Sequence, residues 1–171
     1  MSKLRYERPI IRMLNSTITQ KFGSSPGFKP FTHIDGMSVK ELIADYGSPL
    51  FVVSERTLRQ TYKAAYRAFS TRYPKVQFAW SYKTNYLGAV CQIFHQEGSW
   101  AEVVSRFEFE KALRNGVAGN KIIFNGPEKT EDDLRTAVQY GALIHIDHFD
   151  ELNMLSMVAV ELGVKPKVAI R

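Results

Sequence analysis

The sequence predicts an α/β fold of parallel strands, and three observations carry that reading. Apolar runs of strand length alternate with helical stripes over most of the chain. The connections between them are short. A glycine, in turn Gly98, Gly116, Gly141 and Gly163, closes each of four successive helices just before the next strand, where the residue after a helix often needs positive φ. Four βα units joined this way imply right-handed crossovers. Two architectures satisfy the pattern: an open doubly wound sheet, or the first half of a (β/α)8 barrel. Periodicity leaves both open.

The elements follow in order. Residues 1–34 show no sustained periodicity and read as an N-terminal arm, with Gly23-Ser24-Ser25-Pro26-Gly27 as a loop. Ser38 to Tyr46 reads as a short helix, with Ser38 as N-cap, Glu41 three residues on and Gly47 as the stop. Leu50–Val53 reads as a short apolar strand. Leu58, Tyr62, Ala65 and Phe69 mark one face of a helix. Val76–Tyr82 is a predicted strand, followed by the helical stripe Tyr86, Leu87, Val90, Ile93 and Phe94. Trp100–Val104 is the next strand, and Ser105 with Glu108 predicts a capping box for a helix to Asn115. Lys121–Phe124 is a strand, Thr130 caps a helix carrying Leu134, Ala137 and Val138, and Ala142–Ile146 is a strand. Leu152, Leu155, Val158 and Leu162 stripe the last helix, and Val168–Ile170 begins a fifth strand.

At 171 residues the chain is long enough for a domain with a core, and 44% hydrophobic with 23% charged residues is ordinary for a globular protein. A single cysteine, Cys91, excludes an internal disulfide framework; beside the stripe Val90-Ile93-Phe94 it reads as a core thiol. No apolar run approaches the roughly 18 residues of a membrane span, and Met1–Arg12 lacks the apolar core of a signal peptide. The expected location is the cytoplasm. Of the net charge of +6, five units lie in residues 1–31, where Lys3, Arg5, Arg8, Arg12, Lys21 and Lys29 face only Glu7. Nucleic-acid grooves spread basic residues over a face of the fold, so neither a nucleic acid nor a membrane is an expected partner.

The residue with most chemical content is Lys83, at the end of Phe78-Ala79-Trp80-Ser81-Tyr82-Lys83-Thr84-Asn85. By strand alternation Ala79, Ser81 and Lys83 share one face and Phe78, Trp80 and Tyr82 the other. Small residues beside the amine leave room for a ligand. A lysine held still and partly desolvated is what carbonyl chemistry needs; a lysine that simply ends a strand and reaches solvent fits the same pattern. Other constellations carry less. His145 and His148 bracket Asp147, but on a strand His148 points away from the other two, so no metal is expected. Glu108 is accounted for by its cap, and no glycine-rich phosphate loop is present.

The lysine segment resembles the "F-A-Y-A-V-K-A-N" motif of the fold-type III pyridoxal-phosphate decarboxylases, above all diaminopimelate decarboxylase. Ile34-Asp35-Gly36 and Tyr46-Gly47-Ser48-Pro49-Leu50-Phe51-Val52 resemble "DG…YGTPLYVY" of that family. Gly98-Ser99-Trp100-Ala101-Glu102-Val103-Val104-Ser105 with Glu108 is similar to "G-x-G-F-D-V-V-S-x-x-E". Ile123-Phe124-Asn125-Gly126-Pro127-Glu128-Lys129-Thr130 is similar to "I-x-F-x-G-x-x-K-T". Ile144 to Leu152 resembles "I-N-V-E-S-x-x-E-L", and Lys167-Val168-Ala169-Ile170-Arg171 resembles the strand "V-x-L-R".

The resemblance implies the barrel, of the alanine-racemase type: about four βα units and a fifth strand over residues 35–171, with the family's C-terminal β-domain absent from the sequence. It implies pyridoxal phosphate as cofactor, Lys83 as the Schiff-base lysine, Glu102 and Arg171 as cofactor-binding residues, an amino acid as substrate, and a homodimer for the full-length protein. Glu102 stands where the family has aspartate, His148 where it has a serine-like residue, and Trp80 and Tyr82 are bulkier than the motif. The family's ring-stacking histidine, phosphate loop and pyridine-nitrogen glutamate lie beyond the fifth strand, so the isolated chain is expected to be inactive. A non-catalytic cofactor-binding or regulatory homologue is the alternative, and a lysine aldolase without pyridoxal phosphate needs Lys83 alone.

Overall fold

The computed structural model describes residues 30–171; residues 1–29 of the arm, with all its lysines and arginines and the loop at Gly23–Gly27, fall outside the described residues. Two compact units divide at Phe51 and Val52. In the first, β1 (His33–Ile34) and β2 (Met37–Ser38) pair antiparallel around Asp35 and Gly36. Both turn residues have positive φ, 49° and 88°, the geometry that the Asp-Gly pair favours in a two-residue hairpin. Helix α1 (Val39–Tyr46) follows, with the expected reciprocal cap between Ser38 and Glu41 and Gly47 at its end. Leu50–Val53 is not a strand. No segment among the described residues pairs with it, and Phe51 is 99% exposed.

The second unit begins with α2 (Glu55–Ser70). It then alternates β3 (Ala79–Ser81), α3 (Gly88–Gln96), β4 (Trp100–Val103), α4 (Arg106–Arg114), β5 (Ile122–Phe124), α5 (Glu131–Gln139), β6 (Leu143–Ile146), α6 (Phe149–Leu162) and β7 (Lys167–Ile170). All five strands are parallel, and their order in the sheet is their order in the chain. A doubly wound sheet reverses direction at a switch point. This sheet never reverses, so successive right-handed crossovers lay the helices on one side. That is the arrangement of a (β/α)8 barrel, here over five strands.

Burial follows the same logic. Ala101, Val103, Ile122, Phe124, Ile144 and Ile146 face the helices and are buried with Phe109, Leu134, Leu155 and Val158. The alternate positions, Glu102, Ile123, Leu143 and His145, form a second, half-exposed face that corresponds to a barrel interior. A smaller aromatic cluster joins α2 and α3 to β3. Trp80 stacks on Phe94 with ring centroids 4.0 Å apart, and Phe78 meets Tyr62, Tyr66 and Phe69 edge-on.

Several boundaries differ from the sequence reading. The regular strand over 76–82 shrinks to Ala79–Ser81, although ladder bonds still reach Phe78 O and Tyr82 N. Tyr86 and Leu87 precede α3 and are exposed, and Leu152 lies off the buried face of α6, whose inner positions are Glu151, Leu155 and Val158. Ser105 does cap α4, but the Glu108 carboxylate accepts from Val104 N (2.8 Å), one residue earlier than a capping box requires. All four helix-closing glycines have positive φ.

Candidate active site

The C-terminal ends of the five strands gather the polar residues of the inner face. Lys83 lies in the turn directly after β3 and is exposed, not desolvated as the sequence reading required. What is fixed is its turn. Tyr82 N donates to Glu102 O (3.0 Å), and Thr84 donates to Ser81 O through both its amide (3.2 Å) and its hydroxyl (2.7 Å). The Trp80 indole donates to Asn85 O (2.9 Å), and the Asn85 side chain accepts from Leu87 N (3.0 Å), closing the turn into α3. The bulky Trp80 and Tyr82 are thus anchors on the helix side, and they leave the opposite face to Ala79, Ser81 and Lys83.

Beside this turn in register, Ser81 pairs with Glu102. The Glu102 carboxylate accepts from Asn125 Nδ2 (2.9 Å), a residue of the loop after β5. His145 follows on the same face of β6; burial pushes its imidazole pKa down, and the Glu102 charge opposes that shift. At the far strand, Arg171 bonds back through its amide to Ile146 O (3.0 Å), and its guanidinium pairs with Asp147 Oδ1 at 3.1 Å. Lys83, Glu102 and Arg171 therefore end three strands of one sheet, with β5 and β6 between Glu102 and Arg171. Asn125, His145 and Asp147 join them. Sequence reasoning weighed His145 and Asp147 only as metal ligands and left out Asn125. Their signal was position: each stands at the C-terminal end of a strand on the Glu102 face. His148 is turned elsewhere and accepts from Glu151 N (3.2 Å) through Nδ1, capping α6 as a serine would.

Beneath this surface a buried pair ties the loops together. Lys129 Nζ donates to Glu151 Oε1 (2.7 Å), Gly126 O (2.9 Å) and His145 O (2.9 Å), with both side chains fully buried. All three ammonium protons are used. The Glu151 Oε2 atom accepts from Asp147 N (3.4 Å). One ion pair thus holds the backbone on both sides of Ile146. Gly126 lets the same loop approach β4, since a Cβ there would lie 2.6 Å from Val104 O.

Residues 59–171 match the pyridoxal-dependent decarboxylase family over its pyridoxal binding domain. The chain belongs to this family. The match implies pyridoxal phosphate as the cofactor. Diaminopimelate decarboxylase of Methanothermobacter thermautotrophicus is 36% identical over 128 residues, which cover 75% of this chain and 30% of that protein. The enzyme of the same name from Aquifex aeolicus is 31% identical over 139 residues, 81% of this chain and 32% of its own length. The solved diaminopimelate decarboxylase from M. jannaschii, in co-complex with L-lysine, superposes with a TM-score of 0.76 at 30% identity, covering 81% of this chain and 33% of that one. The chain thus spans about a third of the length of these relatives. The sequential parallel sheet is the one those barrels carry, which settles the choice that periodicity left open.

Proposed function

We propose that this chain forms the cofactor-holding part of a pyridoxal-phosphate-dependent decarboxylase acting on diaminopimelate or a closely similar diamino acid. The observation that carries the reading is the common face on which Lys83, Glu102, His145 and Arg171 end or line β3, β4, β6 and β7 of one sheet. The residues fit the cofactor. An exposed primary amine stands at a strand tip above the small Ala79 and Ser81, and Ser81 Oγ is buried without a hydrogen-bond partner among the described residues. A carboxylate on the adjacent strand and a guanidinium after the far edge strand, each oriented by a neighbour, belong to the same face. When bound, pyridoxal phosphate supplies the electron sink for the pair left as a substrate carboxylate departs as CO2.

This chain's own groups do the rest. Lys83 is the residue that would hold the cofactor, amine to aldehyde, and once released it is placed to move a proton. Glu102 presents a carboxylate whose direction Asn125 sets. His145, favoured as the neutral ring by burial, offers a hydrogen bond without a charge. Arg171 offers donors to an anionic group while Asp147 holds its guanidinium in place. Among the described residues the five strands leave β3 and β7 as sheet edges, and Ile170 is 92% exposed. We infer that these 171 residues by themselves do not turn over substrate.

Borohydride reduction in the presence of pyridoxal phosphate, followed by peptide mass mapping, tests the assignment. The expected adduct is on Lys83 and is abolished in Lys83→Ala. A cofactor adduct on another lysine would sink it, and an adduct formed only with a sugar or keto acid would mark an aldolase. Release of CO2 from meso-diaminopimelate, ornithine or arginine by the 171-residue chain alone would refute the inferred inactivity. Cofactor binding without decarboxylation, even when the chain is supplied with a complementing barrel part, would favour a non-catalytic homologue.

A further inference from the structure

We propose that the Tyr82 hydroxyl is a positioning group for Lys83, pinning the lysine turn to two helices so that the amine is presented in one place. The inference rests on the cofactor assignment of Lys83 above. Tyr82 is the residue before Lys83 and is fully buried. Its hydroxyl oxygen accepts from Asn115 Nδ2 (3.0 Å), at the C-terminal end of α4, and lies 2.9 Å from His95 Nε2 in the last turn of α3. The other ring nitrogen, His95 Nδ1, is 2.9 Å from the Ser99 carbonyl oxygen. A carbonyl can only accept, so Nδ1 carries the proton and Nε2 takes the hydrogen of the tyrosine. The chain of donors therefore runs from Asn115 to Tyr82 to His95 to Ser99.

Lys83 is exposed and no hydrogen bond or ion pair among the described residues holds its amine. Its placement is therefore inherited from its backbone. The Tyr82 side chain ties that turn to both α3 and the end of α4. The family motif carries valine at this place, which fills space but bonds to neither helix. Removing the hydroxyl while keeping the ring leaves two partly buried polar groups unmatched and frees the turn to shift, and displacements near 1 Å are costly to a reacting group.

The test measures the rate of borohydride trapping of pyridoxal phosphate on Lys83 in the 171-residue chain. Tyr82→Phe and Asn115→Ala are compared with Phe109→Leu, a core change whose ring contacts are with Phe124 and Tyr140 and which also lowers the melting temperature. All rates are read at a temperature where circular dichroism shows each protein folded. Tyr82→Phe is expected to trap about tenfold more slowly and Asn115→Ala about threefold, with Phe109→Leu at the wild-type rate. If Tyr82→Phe does not fold, Asn115→Ala decides. Wild-type rates in both turn variants, or an equal slowing in Phe109→Leu, would overturn the positioning role while leaving Lys83 as the cofactor lysine. A wild-type chain with no adduct on Lys83 would overturn both.

Discussion

Replacing Lys129 by methionine removes one ammonium from a site with no exposed atoms, and its cost follows from the contacts. At 2.7 Å from Glu151 the gross attraction is about 6 kcal/mol at an effective dielectric near 20. Desolvation of the two ions offsets most of that, so the pair as a whole adds little to stability. Breaking it from one side is different. Methionine fills the volume but leaves the Glu151 carboxylate buried with Asp147 N at 3.4 Å as its remaining close donor, and it orphans Gly126 O and His145 O. The expected loss is about 3–5 kcal/mol. The double variant Lys129→Met with Glu151→Leu removes the stranded charge and leaves only neutral backbone groups unpaired, so its loss is expected to be about 1–2 kcal/mol. Urea denaturation followed by the fluorescence of Trp80 and Trp100 measures both, and the coupling comes from the cycle completed with Glu151→Leu. A single variant within about 1 kcal/mol of wild type, or a double variant as unstable as the single, would refute the buried-pair reasoning.

Two further outcomes are expected. Burial lowers the pKa of His95, so in acid the unfolded chain binds its proton more tightly than the folded one. Stability is therefore present above the ordinary histidine value of about 6.5 and is lost as pH falls from there through the folded value; urea midpoints across this range should show that slope, flattened in His95→Gln. Gly126 has φ 134° and faces Val104 O, so Gly126→Ala should cost about 2 kcal/mol or more, and an unchanged urea midpoint would show that the loop gives way freely.

Much of the fold was legible because its signals are local. Ser38, Ser105 and Thr130 each cap the helix expected of them, and the four closing glycines take the left-handed backbone that only a residue without a side chain enters cheaply. Leu50–Val53 misled because strand propensity says nothing of a partner, and a strand exists only by pairing. Leu152 misled for a related reason: an apolar residue on a helix can lie off the face that the core uses.

By itself the sequence determined the order of strands and helices, the lysine at the end of β3 and, through its ordered motifs, the family. It could not determine the order of strands within the sheet, because hydrophobic periodicity is the same whether a crossover returns to the left or the right of the previous strand. Nor could it show that Asn125 orients Glu102, that Asp147 holds Arg171, or that Tyr82 reaches His95 and Asn115 from 13 and 33 residues away. Those pairs are distant in the chain; the parallel register carries the strand ends to one rim and so joins Asn125 to Glu102 and Asp147 to Arg171, while the packing of α3 and α4 on the sheet brings His95 and Asn115 to Tyr82.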